Sequence, residues 1–197
     1  MNYTEQLDCL MDKYKGMLQT FQVLEAGVSK PSFYAYIKKR GLKQVSHGIY
    51  ISPDSWMDSL YLLHLRYKHA IFSHETALFF HDLTDREPLK YTITLKTGCN
   101  PTRLQTDGFQ VYTIKKELHG LGIITMQTPF GHPVPVYDME RTVCDLLRSR
   151  RNIEIRVLQD ALKRYVNRKD KNLHTLMQYA SLLRVEKLLR QYLEVLL

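Results

Sequence analysis

The sequence predicts an α+β chain: an N-terminal winged helix-turn-helix, then an α+β domain with a small, mostly antiparallel sheet and C-terminal helices. Three observations carry that expectation. Within the first 53 residues, three short segments of helical apolar spacing precede two β-prone runs about a His47-Gly48 turn, which is the order of a winged helix. Between about 91 and 137 the apolar period shortens towards two, and from Asp138 onward it returns to three and four. Length agrees, since 197 residues make one domain or two small ones.

Leu7, Leu10, Met11 and Tyr14 recur at helical spacing behind Thr4 as a cap, and Gly16 stops them, so a first helix is expected over about 4–15. Thr20 can cap a short second helix carrying Phe21, Val23 and Leu24, ended by Gly27. Ser29 caps a third, with Pro31 tolerated in its first turn, Phe33, Tyr36 and Ile37 as the inner stripe, and Gly41 closing it. Leu42 to Pro53 then reads as a hairpin. Asp54-Ser55 opens a helical pattern through Trp56, Leu60, Leu63 and Tyr67, and Ser73 caps a helix that buries Ala77, Leu78 and Phe80. Strands follow at 91–95, 109–113, 123–126 and 134–137, punctuated by Gly98, Gly108, Gly122 and Gly131. Asp138 caps a helix with Val143, Leu146 and Leu147 inside, and two more helices are expected over about 153–166 and 173–195. In the last, Leu182, Val185, Leu189, Tyr192 and Leu196 follow a heptad seam too short for a coiled coil, which makes it a core helix. The division expected is 1–54, a DNA-binding winged helix, and 55–197, a second domain.

With 44% hydrophobic and 24% charged residues, the composition is that of an ordinary globular protein and excludes long disorder. No apolar run approaches the roughly 18 to 20 residues of a membrane span, and the first residues lack the basic and apolar regions of a signal peptide. A cytoplasmic chain without a membrane partner is expected. Cys9, Cys99 and Cys144 are odd in number and form no C-x-x-C, so they read as idle thiols. The net charge is +8 with a pI near 9.3, which favours a polyanionic partner. Lys and Arg number seven against five acids over 1–55, nine against ten over 56–147, and twelve against five over 148–197, so the excess sits mainly at the C-terminal end.

The third helix and wing carry the clearest functional signal. With Phe33, Tyr36 and Ile37 inward, the helical step turns Lys30, Ser32, Tyr34 and Lys38 outward, flanked by Lys39 and Arg40. Hydroxyls can bond phosphates or base edges, lysines attract phosphates, and a helix fits the major groove of double-stranded DNA. Lys43 and His47 on the wing extend that surface. The plainer reading of the same charges is a solvated face or a protein-binding winged helix. A second basic surface is expected from Arg148, Arg150, Arg151, Arg156, Lys163 and Arg164, against the plain alternative of solvated helices.

Catalytic and metal chemistries find little support. His74 and His81 are seven apart, two helical turns or roughly 10 Å, too far for one zinc ion, whereas H-E-x-x-H places its ligands one turn apart. A packed or capping role suits His74 and Glu75 better. Asp82, Asp85 and Glu87 precede the strand ending at Lys96, but Thr94 stands where a nuclease needs an acid. Asp138, Glu140 and Asp145 read as a cap, a first-turn charge, and a surface acid or arginine partner. No phosphate loop or G-x-S-x-G is present, so no enzyme, cofactor or metal is expected.

Gly27-Val28-Ser29, Gly48-Ile49-Tyr50, Ser73-His74-Glu75-Thr76-Ala77-Leu78 and Glu140-Arg141-Thr142-Val143-Cys144-Asp145-Leu146-Leu147, in that order, resemble the AbiEi family of bacterial type IV antitoxins. The chain is similar to the streptococcal members in particular, over essentially its whole length. The resemblance implies a non-enzymatic antitoxin of a toxin-antitoxin, abortive-infection system. Its winged helix would repress its own operon at inverted repeats, and its C-terminal domain would counter a cognate nucleotidyltransferase-like toxin. The family's DNA contacts map only broadly onto the third helix and wing, and no residue is implied for antitoxicity. Two alternatives stand beside it: a winged-helix regulator sensing a small ligand, and a DNA-processing enzyme.

Overall fold

The computed structural model describes residues 2–196, which form two compact units: the chain up to Arg66 with Gln127–Pro133, and Tyr67–Met126 with the chain from Val134 onward. The first unit therefore runs past residue 54 and takes in a short later segment. Asp58 is the physical reason. Its fully buried carboxylate accepts from the Tyr61 backbone N–H (3.0 Å), the Thr128 hydroxyl (2.6 Å) and His132 Nδ1 (2.7 Å). Such a carboxylate is stable only where several donors surround it.

In the first unit the elements are α1 (Tyr3–Lys13), β1 (Met17–Gln19), α2 (Thr20–Glu25), α3 (Lys30–Arg40), β2 (Lys43–Ser46), β3 (Ile49–Ile51) and α4 (Ser59–Arg66). Asn2, not Thr4, caps α1, in a reciprocal box with Glu5. The expected second and third helices and the hairpin are present. Beyond them, β1 pairs antiparallel with β3, giving the order β1-β3-β2. Three residues are too few to show alternation, so β1 left no pattern. It starts after Gly16, whose φ of +85° and close approach to Ser55 leave no room for a Cβ. Leu7, Leu18, Val23, Phe33, Tyr36 and Tyr50 form the core, while Phe21 and Leu24 stay exposed. The helix expected from Asp54-Ser55 begins at Ser59 instead, because Asp58 supplies the cap. Trp56 is left outside it, 82% exposed.

The second unit contains β4 (Ile71–Phe72), α5 (His74–Phe80), β5 (Thr92–Lys96), α6 (Thr102–Thr106), β6 (Gln110–Ile114), α7 (Lys116–His119), β7 (Ile123–Gln127), β8 (Pro133–Tyr137), α8 (Met139–Arg148), α9 (Ile155–Asn167), α10 (Leu173–Leu182) and α11 (Glu186–Leu196). Its sheet runs β6-β5-β4-β8-β7. The sheet is mixed rather than mostly antiparallel: β5–β6 and β4–β8 are parallel, and β4–β5 is antiparallel. Two features hid this. The two-residue β4 shows no period, yet it sits at the centre, and α6 provides the crossover that parallel pairing requires.

Helix α8 is buried from Glu140 to Leu147. Val143, Cys144, Leu146 and Leu147 pack with Leu158, Leu162 and Tyr165 of α9, Leu176 of α10 and Leu189 of α11. Its polar residues are held as tightly. Glu140 accepts from Tyr165 (2.9 Å) and the Asn172 backbone (2.8 Å), beyond the first-turn role expected of it. Arg141 donates to Asp145 (2.9 Å) and to the Leu118 and Leu121 carbonyls, with its guanidinium 4.3 Å over the Tyr137 ring. Asp138 caps the helix as expected, accepting from the Arg141 N–H at 2.7 Å. The single helix expected over 173–195 is two. Arg184 adopts φ +59°, Val185 N–H donates to Ala180 O and Arg184 N–H to Ser181 O, which is a Schellman stop formed without glycine. Among the described residues, no helix is long and apolar enough to cross a membrane.

Candidate nucleic-acid interface

Helix α3 is fixed at both ends. The Ser29 hydroxyl accepts from the Ser32 N–H at 3.3 Å, Pro31 occupies the first turn, and Gly41 closes the helix with φ +67°. Phe33 is fully buried and meets Tyr50 of β3 edge-on, with ring centroids 5.4 Å apart. Tyr36 is buried on the same side, where its hydroxyl donates to Asp8 of α1 at 2.6 Å. Together these contacts set which face of the helix is left to solvent.

That face carries Lys30, Tyr34, Lys38 and Lys39, with Pro31 and Ala35 between them. Tyr34 and Lys38 lie one turn apart, and Tyr34 is 54% exposed. Two expected members are engaged elsewhere. The half-buried Ser32 places its hydroxyl 2.9 Å from that of Ser29, within the cap. Arg40 turns back to α1, where it donates to Asp8 (2.5 Å) with its guanidinium over the Tyr36 ring. Ala35, which has neither charge nor hydroxyl to signal a role in sequence, is exposed on this face and offers a methyl of the kind that contacts thymine.

The Asp8 cluster is electrostatically coupled. The Tyr36 hydroxyl and then Arg40 hold the Asp8 carboxyl below the usual range, and burial with the Asp8 bond pushes the Tyr36 phenol up to about 12. The wing adds exposed Lys43 on β2 and exposed His47 at the turn. The Gly48 carbonyl accepts from Thr20 N–H (2.8 Å), which ties the turn to the start of α2. No metal-binding group of acids, histidines and cysteines occurs among the described residues.

Residues expected to make a second basic surface line different cavities. Arg148 lines a polar cavity with His74 and Tyr112. Arg156 and Arg164 line a cleft shared with Asp85, Glu154 and Asp160, and Arg164 forms a bidentate pair with Asp85. Lys163 borders an apolar groove with Leu188 and Tyr192. Arg150 donates to the Leu147 carbonyl, and Arg151 is exposed. Glu154 and Asp160 are local acids that the charge count includes, whereas the Asp85 partner of Arg164 is 79 residues away and leaves no local signal.

The chain is similar in structure to the RV2827C protein from Mycobacterium tuberculosis, with a TM-score of 0.57 and 14% identity, over 92% of this chain and 72% of that one. At that identity the likeness bears on the fold alone. No family model and no curated protein matches the chain.

Proposed function

We propose that this chain is a DNA-binding antitoxin that represses its own operon and counters a nucleotidyltransferase-like toxin without catalysing a reaction. The observation that carries the DNA-binding half is the solvent face of α3, where Lys30, Tyr34, Ala35, Lys38 and Lys39 project together beside the wing residues Lys43 and His47. Lysines supply phosphate attraction while Tyr34 and Ala35 supply contacts to base edges, the division of labour of a recognition helix. Inverted repeats are the fitting operator, since two copies of a winged helix related by a two-fold axis read a palindrome. The antitoxin half rests on the ordered motifs that resemble the AbiEi family.

The test has two arms. Purified protein should bind DNA upstream of its own reading frame, with log affinity falling against log salt by about 0.9 per phosphate neutralised. Lys30→Ala with Lys38→Ala should flatten that slope, whereas Tyr34→Ala should relax sequence preference by about 1–3 kcal/mol. Equal affinity for random duplex refutes autorepression. In the second arm, co-expression should rescue cells from the neighbouring toxin, and rescue should survive the Lys30/Lys38 substitutions. If it does not, toxin control runs through transcription.

A further inference from the structure

The second unit contains a polar cavity of about 310 Å³, open to solvent, whose lining includes His74, Tyr112, Asp145, Arg148, Ser149 and Asn152. One of these residues is strained: His74 holds φ +48°, the left-handed region that costs a non-glycine residue. The ring is buried, stacks on Tyr112 with centroids 3.6 Å apart, and places Nδ1 3.0 Å from the Ser73 hydroxyl and Nε2 3.0 Å from the Ser149 hydroxyl. Burial, reinforced by Arg141 and Arg148, holds its pKa down to about 3, so the imidazole is neutral and carries one proton.

The position of that proton follows from the hydrogen bonds. Thr94 Oγ1 donates to Ser73 Oγ (2.8 Å), and Ser73 is fully buried, so its own hydrogen needs an acceptor. Among the described residues the acceptor beside it is His74 Nδ1. The imidazole proton then resides on Nε2 and donates to Ser149 Oγ. Ser149 has thus accepted one bond, and its own O–H is left to point into the cavity. The Arg148 guanidinium and the Asn152 amide, which line the same cavity, make no side-chain hydrogen bond or ion pair among the described residues. Asp145, the acid in the lining, is committed to Arg141.

We infer that this cavity binds the phosphoryl group of a small phosphate ester, held by Arg148, Ser149 Oγ and Asn152. The guanidinium fork, the Ser149 O–H and the Asn152 amide N–H are donors that an oxyanion can accept from, and the one acid in the lining is already paired with Arg141. The neutral His74 orients Ser149 rather than activating it, so the site binds and does not react. This inference is independent of DNA recognition by α3.

The test is calorimetric titration of the full chain carrying Lys30→Ala and Lys38→Ala, which removes polyanion binding at α3. Inorganic phosphate and ATP are the two probes. Saturable binding of either is expected. Arg148→Gln should weaken it by about tenfold, the effect of losing one charge-assisted bond. Ser149→Ala should weaken it less, and Arg150→Gln, whose guanidinium is turned to the Leu147 carbonyl, should leave it unchanged. Tighter binding of ATP than of phosphate would extend the ligand along the cavity, and equal binding would confine the site to the phosphoryl group. Absence of saturable binding by both probes, or binding indifferent to Arg148→Gln in a variant with unchanged melting temperature, overturns the proposal.

Discussion

A neutral histidine held in a left-handed conformation makes stability depend on acid. The folded pKa of His74 lies below its ordinary 6.5, so the unfolded chain binds a proton that the folded chain refuses. Its contribution is complete above about pH 6.5 and is lost as pH falls towards about 3, with a slope of up to about 1.4 kcal/mol per pH unit. His74→Asn, which tolerates positive φ, should lower stability at neutral pH and flatten this slope in urea unfolding between pH 7 and pH 4. An unchanged slope would place the acid sensitivity elsewhere, first at His81, whose imidazole burial also holds below its ordinary pKa. The sequence offered His74 as a packed or capping residue, and packed it is. Its strain and its bond to Ser149 were invisible, because Ser149 lies 75 residues away, although its other partner, Ser73, is its neighbour. Phe33 was more legible, since the helical phase that turned it inward depends on local spacing alone. Phe33→Ala should cost about 3–5 kcal/mol in the same measurement, through a cavity in a fully buried site.

Helices with caps at both ends could be read with little error, and helices ended by tertiary context could not. Ser29 and Gly41 mark α3, and Asp138 marks the start of α8; all three do in the structure what their chemistry suggests. The break between α10 and α11 has no such signal, because Arg184 takes the position where glycine is usual. The break removes the heptad seam: Leu182 is 55% exposed while Leu189 is fully buried. Leu189→Ala should therefore cost about 2–5 kcal/mol, and Leu182→Ala should shift the urea midpoint little. Equal losses at the two positions would restore the continuous helix. The same contrast governs the sheet. β5 and β6 show a period of two, whereas β4, with two residues, inherits its place from its neighbours.

At the scale of the molecule, the first unit depends on a segment far along the chain. Asp58 is surrounded by donors, two of them from Thr128 and His132, and the His132 ring stacks 4.1 Å from Tyr61. Removing the carboxylate leaves those donors buried without an acceptor. Asp58→Ala should destabilise the first unit by about 3–5 kcal/mol, measured by denaturant unfolding of the full chain. A fragment of residues 1–66 lacks both donors and is short for an independent core, so its circular dichroism should show incomplete folding. Native-like, cooperative unfolding of that fragment would make the later segment dispensable.

Local chemistry by itself determined the α+β class, the winged-helix order, the caps of α3 and α8, the inward phase of Phe33 and Tyr36, and the basic character of the third helix. Each of these depends on residues within a turn or two of one another, where backbone geometry converts spacing into direction. Tertiary structure alone decided that Arg40 belongs to Asp8, that Arg164 pairs with Asp85, and that a two-residue strand sits mid-sheet. It also decided that His74 meets Ser149 over a cavity. Those outcomes are set by partners tens of residues away, and a side chain's charge is spent or left available according to a partner that its own neighbourhood in sequence does not name.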